Sequence, residues 1–423
     1  MRYLTDELPG TGGHIKVHPE DFRVTEIPLY APSGEGDHVF LYVEKQGIGS
    51  LDAADHIARA FGLPRHLVGL AGLKDAHAIT RQWMSLERID PDKAARLHLP
   101  NITILAAVRH RNKLKIGHLV GNRFEVRLRG CRPGAGELAE RILEVIAARG
   151  MPNWFDRQRF GMRGDNHLLG RALVLGDAEE FCGRFLGRPT AHDNPRVAHA
   201  RRMVDHGRIA EARKFYSGHR DQLRVLTELV RTRNPARAMR AVPKQLARLL
   251  VAAYQSSIFN AVLERRLDGI DRVEAGDLAY IHPRGGRGEA VFLVERPEDE
   301  APRAARFEIS PSGPLVGHRV TLAAGRPGEI EREVLAAENV TPANFERVKA
   351  LRLRGDRRPL RVPVSEVEVG AVGDDITIGF TLPSGAYATI LLAEITKFGS
   401  DDAAPDAPGE GPADDDDDDG DDD

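Results

Sequence analysis

Three short stretches of this 423-residue chain hold charged and aromatic residues at spacings that could do chemistry. The first is His14-Ile15-Lys16-Val17-His18-Pro19-Glu20-Asp21-Phe22-Arg23-Val24-Thr25-Glu26. It reads as two short strands around a Pro-Glu-Asp turn, with Lys16 and Glu26 set among apolar neighbours. The second, Gly72-Leu73-Lys74-Asp75-Ala76-His77-Ala78-Ile79-Thr80, places Asp75 in a short loop beside Lys74. The third, Asn153-Trp154-Phe155-Asp156-Arg157-Gln158-Arg159-Phe160-Gly161, sets an amide and an aromatic ring ahead of two arginines. A carboxylate can serve as nucleophile or base, a fixed cation favours its charged form, and an aromatic face can hold a flat ring. Taken singly, each lysine or aspartate here also fits a surface charge, and Trp83 and Trp154 fit core packing.

Other chemistries lack their residues. No GxxxxGK[ST] pattern occurs and no GxGxxG follows a strand; Gly10-Thr11-Gly12-Gly13 reads as a flexible lead-in rather than a phosphate cradle. The 16 histidines include no HExxH pair, and the two cysteines, Cys131 and Cys182, form no CxxC motif or Cys/His cluster. Neither a metal nor an organic cofactor is therefore expected. No apolar run reads as approaching the roughly 20 residues of a membrane span, and residues 1–13 lack the cationic flank and apolar core of a signal peptide. A cytoplasmic protein without a membrane partner is expected. Nothing in the sequence speaks to oligomeric state.

The formal net charge of −3 averages two unlike segments. From Asp401 onward the chain carries 13 acidic residues and no Lys or Arg; without them 60 basic residues face 50 acidic ones, a body of +10. A basic body suits a polyanion such as RNA. Residues 401–423, with almost nothing apolar to bury, read as a disordered acidic tail. The simplest reading is a solvated tail; the competing one has it fold over the basic groove and compete with nucleic acid. Deleting residues 401–423 separates them. Unchanged RNA affinity at low salt is expected, and tighter binding would reveal competition.

The elements that must position these residues are legible in outline. Arg123 to Arg129 alternates strictly, burying Phe124, Val126 and Leu128 on one face of a strand, and residues 38–44 alternate less cleanly. Ser50 can cap a helix carrying Leu51, Ala54, Ile57, Ala58 and Phe61, with Gly62 to end it. Leu138, Ile142, Leu143 and Ile146 mark a second helix before Gly150. Residues 201–244 are helical and arginine-rich, and a helical pattern continues to Leu267. Residues 279–320 turn strand-like and Gly/Pro-rich, residues 352–361 form a basic loop, and alternation returns at Ile376, Ile378, Phe380 and Leu382. An economical reading is a central domain inserted into a core made by both ends of the chain.

In order along the chain, these segments resemble the TruD family of tRNA pseudouridine synthases. The second resembles the family's Gly-x-Lys-Asp-x-x-Ala-x-Thr pattern and the third its Asn-Tyr-Phe-x-x-Gln-Arg-Phe-Gly pattern. Arg109-His110-Arg111-Asn112-Lys113-Leu114-Lys115 with Gly121-Asn122-Arg123-Phe124 resembles the basic strand between them. Tyr254-Gln255-Ser256-Ser257-Ile258-Phe259-Asn260, the turn at residues 309–317 and Leu382-Pro383-Ser384-Gly385-Ala386-Tyr387-Ala388-Thr389 also fit, so the resemblance spans about residues 10–395. Two positions depart from it: Ala76 stands where members often have a basic residue, and Trp154 replaces a tyrosine.

The resemblance implies an α+β fold, with a catalytic core around a mixed, largely antiparallel sheet and an inserted α/β domain. It places the core in residues 1–177 and 341–400 and the insert in residues 178–340. It implies isomerisation of uridine to pseudouridine, at position 13 of particular tRNAs. In that reaction the glycosidic bond breaks, the uracil turns, and carbon 5 rejoins the sugar. Asp75 would be the nucleophile, Lys16 its counter-charge and Phe155 the stacking surface for the flipped base. Asn153 would orient the site, and Arg109, His110, Arg111, Lys113 and Lys115 would grip RNA phosphates. Lys74 is the weaker counter-charge, because neighbouring extended residues point to opposite faces. Two other readings use the same residues: an RNA-binding protein without catalysis, and a glycoside hydrolase pairing Asp75 with Glu26.

Overall fold

The structure is a computed structural model that describes residues 1–282 and 290–398; the expected acidic tail lies outside the described residues. The chain divides into two compact units. Among the described residues, one joins Arg2–Asn153 to residues 362–398, and the other joins Trp154–His282 to residues 290–361.

The first unit is built on a ten-stranded sheet. Its strands are β1 (Gly12–His14), β2 (Phe22–Pro28), β3 (His38–Gln46), β4 (Gly69–Leu70), β5 (Ile79–Glu87), β6 (His98–Leu99), β7 (Ile102–His110), β8 (Leu119–Cys131), Ser365–Val372 and Asp375–Pro383. Across the sheet the order is Ser365–Val372, Asp375–Pro383, β8, β2, β5, β3, β7 and β6, with β1 on β8 and β4 on β5. Only β2 and β5 pair in parallel; every other pairing is antiparallel. The mixed, largely antiparallel sheet expected from the sequence is present.

Alternation explains both faces. Phe124, Val126 and Leu128 of β8 are buried, and Phe124 stacks on Phe380 of the next strand, 5.1 Å between centroids. Helix Ala135–Arg149 buries Ile142, Leu143 and Ile146 and ends at Gly150 in a conformation suited to glycine (φ 89°). Val39, Leu41 and Val43 of β3 form a second cluster with Ala54, Ile57 and Ala58 of helix Ser50–Ala60. Each Val, Leu or Ile among them contributes about 1.5–3 kcal/mol by leaving water. The cap of this helix differs from expectation: Gly49 is the N-cap and Ser50 the first helical residue, because the Ser50 hydroxyl is committed to a loop across the sheet.

The first residues of the chain and the last of the described ones meet in this unit. The Glu394 carboxylate accepts hydrogen bonds from Leu4 N (2.7 Å) and Thr5 Oγ1 (2.8 Å), and Thr11 N donates to Ile395 O. The glycines expected to be a flexible lead-in are packed instead. A Cβ at Gly10 would lie 2.2 Å from Thr396 O, and one at Gly13 would lie 2.6 Å from Cys131 Sγ.

The second unit is mainly helical. Leu169, Leu173, Phe181, Phe185, Val225, Leu250, Tyr254 and Phe345 share one core. It is wider than residues 178–340, because the helix Asn166–Leu175 and the turn Pro342–Leu351 bury their apolar residues in that same core. Its central helix corrects one expectation. This helix, Lys244–Arg266, runs 26 residues with the turn to Gly269 and contains an 18-residue window of mean hydropathy 1.3, long and apolar enough to cross a membrane, the only such helix among the described residues. Its apolar residues are spent on protein packing, with 61% of the window buried. The strand-like stretch after residue 279 also holds a helix, Pro297–Ala305. Proline at its first turn and Glu298, Asp299 and Glu300 behind it favour that start.

The basic loop at residues 352–361 turns part of its charge inward. Arg357 and Glu331 form a buried pair at 2.6 Å, with side chains 4% and 2% exposed, and Arg361 is buried as well. Glu331 also accepts from Ala323 N, so Glu331→Ala leaves a buried guanidinium without its counter-charge, though still bonded to Ser312 and the Thr321 carbonyl, and leaves that amide without its acceptor. A loss of about 3–5 kcal/mol is expected, read as a lower chemical-denaturation midpoint. A shift below about 1 kcal/mol would show that the pair merely breaks even with water.

Candidate active site

Asp75 lies in the loop between β4 and β5, where its side chain is 50% exposed. Its carboxylate accepts from Lys16 Nζ at 3.2 Å, and the Lys16 side chain is 6% exposed. Lys16 follows β1 in the left-handed region (φ 56°), a conformation costing a non-glycine residue about 1–2 kcal/mol. Its ammonium also stands 4.9 Å from the centroid of the Phe22 ring. The pair is therefore open on the side of Asp75 and closed on the side of its cation, which leaves the carboxylate reachable by a large substrate.

Lys74 points elsewhere. Its Nζ donates to Glu26 Oε2 at 2.8 Å, in a pair whose side chains are 5% and 0% exposed. The other Glu26 oxygen accepts from Trp83 N at 3.1 Å. Glu26 is thus consumed inside the sheet and is not offered to solvent beside Asp75. A hydrolase pairing the two carboxylates needs both within reach of one sugar, and the burial of Glu26 removes its second member.

Three further side chains, none placed at the site from the sequence, hold the backbone of this loop. The Lys45 ammonium donates to the carbonyls of Ile48 (2.7 Å), Lys74 (3.1 Å) and Asp75 (2.9 Å). Ser50 Oγ accepts from Lys74 N at 2.8 Å and donates to Gln82 Oε1 at 2.7 Å. Gln82 Nε2 donates to Gly72 O at 3.2 Å. The signal for Lys45 was present: it continues the inward series Val39, Leu41, Val43, where a charged residue is out of place.

The basic segment is half strand, half loop. Arg109 and His110 end β7, and Arg111, Lys113 and Lys115 follow in the loop to β8. Arg109 is exposed and donates to Gly36 O, while Arg111 is ion-paired with Glu35. Lys113 Nζ donates to His66 O at 2.9 Å, and Lys115 is exposed. His110 differs most from a phosphate contact. It stacks on Tyr30 at 5.2 Å, and burial, with His38 and Arg111 adding to it, holds its imidazole below the ordinary value. Around neutral pH it is an uncharged aromatic partner.

Asn153 is buried in the first unit; Phe155 belongs to the second. The Phe155 backbone is clamped by the Asn260 amide: Phe155 N donates to Oδ1 and Nδ2 donates to Phe155 O, both at 2.9 Å. Its ring packs edge-on to Phe259 at 5.5 Å, and the Arg358 guanidinium sits 4.2 Å over it. A buried ring under a guanidinium is a flat, cation-capped surface, chemically suited to a base. Trp154 is buried, and Trp83 packs on Tyr42 at 4.9 Å, so both tryptophans serve packing.

Comparison with known proteins shows the family. A family profile described as tRNA pseudouridine synthase D (TruD) matches residues 1–395. Relatives named tRNA pseudouridine synthase D from Geobacter metallireducens and Geobacter sulfurreducens are each 46% identical, over 95% and 94% of this chain and 99% and 97% of theirs. A chain from Methanosarcina mazei, whose crystal structure is described under the TruD name, superposes with a TM-score of 0.82 at 27% identity, covering 94% of this chain and 96% of that one.

Proposed function

Because the chain belongs to the TruD family of tRNA pseudouridine synthases, we propose that it isomerises uridine in tRNA with Asp75 as its nucleophile. The observation that carries this reading is the pairing of a half-exposed Asp75 with a buried Lys16. The loop is held by its backbone, leaving the carboxylate to do chemistry. Asp75 attacks the sugar or draws off its proton, and the N-glycosidic bond breaks toward the uracil. The detached base turns and its carbon 5 bonds to the sugar as the Asp75–sugar bond breaks or the drawn-off proton returns, while the hydrogen on carbon 5 leaves as a proton and the freed N1 takes one up. Uridine 13 of particular tRNAs is the proposed target, reached by flipping the nucleotide from its stack. The cytoplasm is the proposed place of action, and none of these steps calls for a metal or organic cofactor.

Phe155 is proposed to stack on the uracil, with Arg358 giving up the ring face when RNA arrives. Asn153 is proposed to orient the site. Arg109, Lys113 and Lys115 are the proposed phosphate contacts, with Arg111 joining them if its pair with Glu35 opens. Exposed arginines on the second unit, such as Arg220 and Arg224, would extend the grip on the backbone. Phe155→Ala should lower the isomerisation rate about 5- to 150-fold, the equivalent of about 1–3 kcal/mol of stacking. Phe155→Tyr should stay within about threefold of wild type. Equal losses in both variants would show that the ring serves packing rather than stacking.

The direct test is to map pseudouridine in total cellular RNA with and without this protein. Loss of one tRNA modification supports the proposal. An unchanged map from cells lacking the protein would overturn it.

A further inference from the structure

The nucleophile loop could have been held by apolar packing, yet its floor is a buried lysine. Lys45 is 1% exposed and lies on the face of β3 that otherwise carries Val39, Leu41 and Val43 against helix Ser50–Ala60. An ammonium in such a place is costly unless its protons are accepted. Three carbonyls accept them, and two belong to Lys74 and Asp75 themselves. Ser50 adds a bond to Lys74 N and is in turn oriented by Gln82, whose amide reaches Gly72 O.

We propose that Lys45, seconded by Ser50, is a positioning residue for the reaction: it fixes the backbone of residues 74 and 75 so that the Asp75 carboxylate meets Lys16 in register. The inference rests on the reading of Asp75 as nucleophile. Its physical logic is that Lys74 and Asp75 diverge, one side chain to Glu26 and the other to Lys16. A peptide carrying two divergent, paired side chains can rock about its own axis. Bonds to both carbonyls and to Lys74 N suppress that motion. Because Lys45 acts from beneath the loop, on the backbone, it needs no contact with RNA.

The test uses the full chain with enzyme in excess over tRNA, following release of the carbon 5 hydrogen from tritiated uridine. Lys45→Met keeps the length and apolar stem and removes the donors. A single-turnover rate about 100-fold below wild type is expected, as for a displacement of about 1 Å at a reacting group, with tRNA affinity within about threefold. Ser50→Ala should show the same split more mildly, at about tenfold. Each variant is assayed well below its own melting temperature. If Lys45→Met does not fold, Ser50→Ala decides alone. Rates within threefold of wild type, or a loss that appears in tRNA binding instead of turnover, would overturn the proposal. An active Asp75→Asn variant would remove the reading of Asp75 itself, a separate failure.

Discussion

Asp75→Asn should fold, bind tRNA and make no measurable pseudouridine. The substitution keeps the size and planarity of the side chain and removes its charge and nucleophilicity. Stability should barely change, because the loop is held through its backbone by Lys45, Ser50 and Gln82. The Lys16–Asp75 pair, with one partner half exposed, contributes on the order of 0–1 kcal/mol to folding. RNA affinity should also hold, since one carboxylate repels phosphate if it acts on binding at all. The rate is another matter: loss of a nucleophile costs on the order of 10⁴ or more. Tritium release under single turnover, a binding titration and a melting curve together check the expectation. A rate within tenfold of wild type would end the assignment. A parallel loss of binding and melting temperature would show that Asp75 is structural.

What the sequence disclosed of this site follows from what kind of information each residue carries. Asp75, Lys16 and Phe155 stand in short segments whose residue order is itself diagnostic, so they could be named before any contact was known. The strands that carry them were equally plain wherever one face is buried, as with Phe124, Val126 and Leu128 in β8. Lys45 was overlooked because alternation alone makes a lysine at a strand's end look like a solvated terminus. Only the fold shows that the carbonyls of residues 74 and 75 come back to its ammonium. Ser50 was misassigned for a related reason. A serine before a helix usually satisfies the helix's own amides, and here a distant loop outbids them. Asn260 lay inside a recognised segment, but nothing local says that its amide closes on the peptide of Phe155. In each case a side chain binds the backbone of a residue far along the chain, and periodicity does not record that bond. The helix Pro297–Ala305 was missed for a local reason: its prolines suggested turns, whereas proline in a first turn followed by acids starts a helix.

The second large effect is expected at Lys16. Lys16→Met should slow isomerisation by about 10²–10³-fold, the loss seen when one preorganised charge partner is withdrawn from a reacting group. Stability should move little, because the ion pair is open to water on the side of Asp75. Binding should move little too, because a lysine with 6% of its side chain exposed has scant surface for a phosphate. Lys74 cannot stand in, since its ammonium is bound to the buried Glu26, and drawing it out would leave that carboxylate alone in the sheet at a cost of about 3–5 kcal/mol. Lys16→Arg should recover most of the rate, because it restores the charge and the donors. The backbone gives an independent check, as the left-handed conformation at residue 16 strains lysine, methionine and arginine alike. Differences among the three therefore report the side chain. A Met variant with the same rate as the Arg variant would mean that the stem of Lys16 matters more than its charge, and the electrostatic role would fall.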